Sequence, residues 1–290
     1  MIVFSEDSEK LFPSTSARDI HASTEAAKLM GCKVYHIASD FSGMTEEAIL
    51  WHVSKQEPET IGIWIGYIPT SERYQLLYRA ALTKGIHLIN SPEEHLRCQE
   101  FDRTYPFLEG LTPSSVVLHS ADECAQVSKQ FGFPLFVKGS VRSQKQKGWT
   151  ACVAENFQEL ESLVEPLLAS QDKSRGCVIV RKLAPLRHQP TTGFPLGREY
   201  RVFVFQNQVV GLGYYWEGGD PFGKLTPKEF DAINTLALEA SRRLSVPFIS
   251  PTQEYPAACG GDELCRNCQR VREHGDRKHH LNVLNHPDTP

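Results

Sequence analysis

Apolar positions in this chain fall into short runs that alternate with amphipathic stretches. Met1 to Phe4 is a short apolar strand. Residues 20–30 read as a helix that Gly31 closes, and residues 33–37 follow as a strand, giving a βαβ opening. Residues 45–53 fit a helix, with Thr45 as cap and Glu46 and Glu47 in the first turn, where carboxylates meet the positive end of the helix dipole. Residues 61–65 are nearly all apolar, the mark of a strand covered on both faces. A helix over 71–84 stops at Gly85, and 86–89 is the next strand. Strands alternating with helices predict a parallel α/β sheet over this first part.

The pattern then changes register. Pro92 marks a helix start, and Thr112-Pro113 marks a domain boundary. Residues 120–130 form the next predicted helix, capped by Ser120. The strand 131–138 ends on Lys138, and a basic loop over 139–148 carries Arg142, Lys145 and Lys147. Residues 149–155 return as a strand. Phe157, Leu160, Leu163, Val164 and Leu167 then give the helix 156–168 one buried face. A strand over 177–182 ends in Arg181-Lys182, and one over 197–205 begins with Arg198, Glu199 and Arg201. The latter turns through 206–208 into 209–216, a hairpin pattern. The last helix runs from Thr226-Pro227 to Leu244, before an apolar stretch at 246–250.

Several predicted strands therefore end on cations. A buried cation is costly unless something negative meets it, and a nucleotide triphosphate is the simplest polyanion that would. Plainer readings stand beside this one. Lys138 also fits a strand-end lysine reaching solvent, Glu199 and Arg201 a cross-strand ion pair, and Arg181, Lys182 and Arg187 a solvated charge cluster. The 139–148 loop reads equally as a hairpin tip or a phosphate-covering lid. Tyr214, Tyr215 and Trp216 read as core and strand-edge packing.

Composition narrows the class. The 290 residues suffice for one large domain or two ordinary ones. The net charge of -4 lacks the basic excess of a nucleic-acid or membrane-surface binder. No apolar run has the length of a membrane span, and the first residues lack the charge pattern of a signal peptide. Cys32, Cys98, Cys124, Cys152 and Cys177 are scattered singly, as expected of reduced thiols in a cytoplasmic protein.

The order of these pieces resembles the ATP-grasp proteins, and within them the branch named for two arginines and one lysine. The resemblance rests on Phe12-Pro-Ser, the stretch 85–94, Phe133-Pro-Leu-Phe-Val-Lys138, Val180-Arg181-Lys-Leu, Arg187 and Gly197-Arg-Glu-Tyr-Arg-Val-Phe-Val204. It covers roughly residues 1–250. It implies an α/β and α+β architecture: a pre-ATP-grasp α/β domain over 1–111, an incomplete two-lobed ATP-grasp domain over 112–250, and an irregular Cys/His-rich tail over 251–290. It further implies ATP and Mg²⁺ as cofactors, with Lys138, Arg181, Lys182 and Glu199 on the nucleotide side. The strand 177–183 would form the hinge against adenine. Glu199 would hold the metal, Arg201 would face phosphate or acyl-phosphate oxygens, and Arg187, with Arg181, would hold a substrate carboxylate. The implied activity is ATP-dependent joining of a small acid or peptide carboxylate to an amine or thiol through an acyl phosphate.

The resemblance stops near Ser250, where two further strands bearing metal-binding acids are expected. The chain instead reads Pro251-Thr-Gln-Glu-Tyr-Pro-Ala-Ala-Cys259. A non-catalytic nucleotide-binding remnant or scaffold is therefore the alternative. In the tail, Cys265 and Cys268 have the spacing of half a zinc site, with Cys259 and His274 nearby. An irregular tail is the competing reading.

Overall fold

The computed structural model describes residues 1–7, 11–38, 40, 41, 43–184, 186, 197–216, 219–249, 255 and 256. Its first sheet is wholly parallel and contains β1 (Ile2–Glu6), β2 (Lys33–Ile37), β3 (Thr60–Ile65) and β4 (Ile86–Leu88) in the order β2-β1-β3-β4. Every residue of β1 is buried, as a central parallel strand requires. The crossover helices are α1 (Thr15–Leu29), α2 (Glu46–Ile49) and α3 (Ser71–Thr83). Helix α1 begins earlier than the apolar pattern predicts, because Ser14 caps it by accepting from the Ala17 amide at 3.1 Å. Phe4, Ile37, Leu50, Leu77 and Ile86 fill this core, each worth roughly 1.5–3 kcal/mol of burial.

Two helices, α4 (Pro92–Gln99) and α5 (Phe101–Leu108), follow this sheet. A capping box between Ser91 and Glu94 starts α4. Helix α5 is not legible in the hydrophobic pattern. The second sheet is antiparallel, in the order β5-β8-β6-β7, with β5 (Ser115–Leu118), β6 (Leu135–Gly139), β7 (Val153–Ala154) and β8 (Val178–Lys182). Helices α6 (Cys124–Phe131) and α7 (Phe157–Ala169) cover one face, and the short α8 (Gln171–Ser174) precedes β8. The third sheet contains β9 (Glu199–Phe205), β10 (Gln208–Tyr214) and β11 (Phe248–Ile249), with α9 (Pro227–Leu244) packed on it. Gln206 and Asn207 take φ of 47° and 59° to close the β9–β10 turn, the conformation that two-residue hairpins demand.

Residues 255 and 256, outside any strand in the sequence pattern, form β12 and pair antiparallel with β9. The rest of 251–290, including Cys265 and Cys268, lies outside the described residues, as does Arg187.

Asn90, just beyond β4, links the first sheet to the third. Asn90 Nδ2 donates to the Phe248 carbonyl at 2.8 Å and Asn90 Oδ1 accepts from the Phe248 amide at 3.1 Å. Arg97 adds a bond to the Leu244 carbonyl at 3.1 Å. Cys98, Leu108 and Leu111 enter the core of the third sheet. Helices α4 and α5 thus seat the third sheet.

Two predictions follow from this packing. A Cβ on Gly139 would lie 2.2 Å from the Lys173 carbonyl oxygen. Gly139→Ala should therefore cost about 1–3 kcal/mol or more in denaturant unfolding; an unchanged midpoint would refute the close approach. His95 stacks on Tyr74 with ring centroids 3.8 Å apart, and its Nε2 is buried without a hydrogen-bond partner. Burial lowers its pKa to about 4. The folded state then holds His95 neutral where the unfolded chain protonates it. Its contribution is full above the unfolded value near 6.5 and is lost as pH falls toward 4, at up to about 1.4 kcal/mol per pH unit. In His95→Phe, stability measured across that window should fall less steeply than in the wild type. Equal slopes would show that His95 does not carry the effect.

Candidate functional site

Alternation along β6 and β8 sorts side chains between two faces. Leu135 and Val137 of β6, with Val178 and Val180 of β8, join the core beneath α6 and α7. Phe136, Lys138, Ile179 and Arg181 consequently project from the opposite face. The same rule divides β9: Tyr200, Val202 and Val204 pack toward α9, leaving Glu199, Arg201 and Phe203 on the other side. The chemistry-bearing residues thus lie on the faces of two sheets turned away from α6, α7 and α9.

The loop after β6 spans between these faces. Lys145 lies on a single 3-10 turn, Lys145–Lys147, that ends at Gly148 with φ of 99°. Its Nζ donates to both carboxylate oxygens of Glu199, at 3.1 and 3.2 Å. Only 4% of the lysine side chain and 1% of the glutamate side chain are exposed. Lys145 Nζ also stands 5.6 Å from the Phe136 ring centroid and 5.5 Å from that of Trp216, within reach of favourable cation–π contact. Position 145 is therefore a built part of the site, where the sequence offered only a basic loop.

Aromatic rings seat the other cations as well. Lys138 is buried, with Nζ 4.2 Å from the Phe101 ring. Arg181, also buried, lies 4.9 Å over Phe136. Arg201 lies 4.8 Å over Tyr215, and its Nε is buried with no hydrogen-bond partner. An orphaned guanidinium donor is expensive unless an acceptor arrives. Lys182 has the opposite parity: it is exposed and stands 5.9 Å from Phe131, away from this face. Arg198, next to Glu199 in sequence, also turns away. It bonds Asp220 at 2.7 Å, Glu229 and the Gly223 carbonyl, and Tyr200 joins it on Asp220. That buried group ties the loop before α9 to the start of β9.

A metal at Glu199 does not fit this arrangement. Magnesium bound with a nucleotide takes one or two carboxylates plus phosphate oxygens, and both Glu199 oxygens already accept from Lys145. No cluster of three or more His, Cys, Asp or Glu side chains suited to a metal occurs among the described residues. Thiol chemistry does not fit either. Cys177, close to Ser140 and Asp102, is pushed up to about 12 by burial, and Cys98 likewise. Elsewhere, a cavity of about 430 Å³ beside the first sheet is lined by apolar side chains with His36 and His52, and it lacks the convergent cations seen here. No helix among the described residues is long and apolar enough to cross a membrane.

No family model matches the chain, and no curated protein matches its sequence. Solved structures do match its shape. An ATP-grasp RimK domain protein from Sphaerobacter thermophilus superposes with a TM-score of 0.54 at 12% identity, covering 93% of this chain and 99% of its own. The D-alanine–D-alanine ligase of Bacillus anthracis, complexed with ATP, gives 0.54 at 13% identity, covering 94% and 98%. The VanG D-Ala:D-Ser ligase of Enterococcus faecalis gives 0.54 at 12%, covering 93% and 96%. The likeness runs through nearly the whole length of each, across all three sheets. The chain has the ATP-grasp fold.

Proposed function

We propose that this protein binds ATP between the faces of its second and third sheets turned away from α6, α7 and α9, and acts as an ATP-dependent ligase. In this reading a substrate carboxylate takes the terminal phosphoryl group, and an amine or thiol then displaces phosphate from the acyl phosphate. The observation that carries it is the buried, unpartnered Nε of Arg201 on a face shared with Glu199. Its fork suits two oxygens of a phosphoryl or acyl-phosphate group at once. Lys138 and Arg181 supply further positive charge from the facing sheet. Phosphoryl transfer relies chiefly on such positioned charge. A cation 4 Å from one phosphate charge gains roughly 4 kcal/mol at an effective dielectric near 20. The proposed adenine hinge is the strand β8 and its exit, and Arg187 is proposed to hold the substrate carboxylate. The ATP named for the Bacillus anthracis ligase complex supports the nucleotide assignment.

A second reading, a nucleotide-binding scaffold without turnover, is favoured by one feature: Glu199 is engaged by Lys145 rather than poised for a metal.

Thermal unfolding with and without ATP tests the nucleotide reading. ATP at about a hundred times its dissociation constant should stabilise by roughly 2.7 kcal/mol, a shift of several degrees for a chain of this size. Lys138→Ala and Arg201→Ala should each remove most of the shift while leaving cooperative unfolding intact. Wild-type protein that unfolds cooperatively but ignores ATP would overturn the reading. Release of phosphate on adding pools of acids and amines separates ligase from scaffold.

A further inference from the structure

The Lys145–Glu199 pair bears on how this face takes a polyphosphate. We propose that Lys145 fills the place of a metal at Glu199, so that the triphosphate is held by protein cations rather than through a divalent ion on that carboxylate. The inference rests on the nucleotide reading above and concerns the form of the ligand. Three observations carry it. Lys145 contacts both carboxylate oxygens at 3.1 and 3.2 Å, so neither is left without a charged partner. Both side chains are almost wholly withdrawn from water. The ammonium is held from several sides, by Phe136, Trp216 and the turn that closes at Gly148.

A magnesium ion would have to expel this ammonium to reach Glu199. That would strand a buried charge between two rings, while the ion itself gives up water reluctantly. A polyphosphate faces no such exchange. With Glu199 neutralised by Lys145, its carboxylate does not repel the phosphate oxygens. Lys138, Arg181 and Arg201 supply the remaining charge on these faces.

Calorimetric titration of the full chain with ATP, in EDTA and in excess Mg²⁺, tests the proposal. Wild-type dissociation constants in the two buffers should agree within about threefold. In Lys145→Met, affinity in EDTA should fall by roughly tenfold or more, because the Glu199 carboxylate then faces the triphosphate without its counter-charge. Magnesium should now restore part of it through the freed Glu199. Should that variant fail to fold, Glu199→Gln keeps a hydrogen bond to Lys145 but is a poor metal ligand. Its ratio of affinities in the two buffers should match the wild type. Wild-type binding at least about tenfold tighter in Mg²⁺, with that preference abolished in Glu199→Gln, would overturn the proposal. Absence of ATP binding in both buffers would instead overturn the nucleotide reading itself.

Discussion

The arrangement of the site depends on a single desolvated ion pair. An ammonium and a carboxylate removed from water lose far more hydration than a surface pair, and only close geometry with further contacts recovers it. Lys145 and Glu199 have that geometry, with the ammonium bonded to both oxygens and set between Phe136 and Trp216. The pair joins the loop after β6 to the first residue of β9, so it fixes the spacing of the two sheet faces. Removing either partner alone would leave a buried charge uncompensated, at a cost of roughly 3–5 kcal/mol. The buried Arg198, Asp220 and Glu229 group plays a parallel part on the far side of β9. Two charged residues adjacent in sequence thus anchor the opposite faces of one strand.

Much of the fold is legible in the sequence because period and punctuation agree. The parallel first sheet follows from apolar runs interrupted by capped helices, and the β9–β10 hairpin from alternation around Gln206 and Asn207. The misses have local causes. Helix α5 carries Pro106 and has Glu100 at its N-cap without a side-chain cap bond, so neither its start nor its run is signalled. Strand β7 is two residues long because Trp149–Ala151 winds into a 3-10 turn, where alternation suggests a full strand. Strand β12 is likewise two residues long, below what a periodic pattern can reveal.

The site was legible as a set of residue types and far less as a geometry. Parity along β6, β8 and β9 puts Lys138, Arg181, Glu199 and Arg201 on the faces turned away from α6, α7 and α9, and that parity is readable once the strands are set. Lys182 differs because it is one residue beyond Arg181 and so points to the other face. The partner of Glu199 was not readable. Lys145 is 54 residues away, in a loop whose polar composition suits solvent as well as a buried contact. The rings beneath the cations were equally hidden, since Phe101, Phe136 and Tyr215 look like ordinary core positions in a linear pattern.

Asn90 gives the architecture an order in time. Its amide satisfies both backbone groups of Phe248, a residue 158 positions further along the chain. A contact of such span contributes nothing until the intervening sheets exist, while its loop-closure entropy must be met in full. During synthesis the parallel first sheet can assemble early and wait with this amide unmet. Strand β11 of the third sheet then docks onto a finished surface. The first sheet thus serves as a template on which β11 comes to rest.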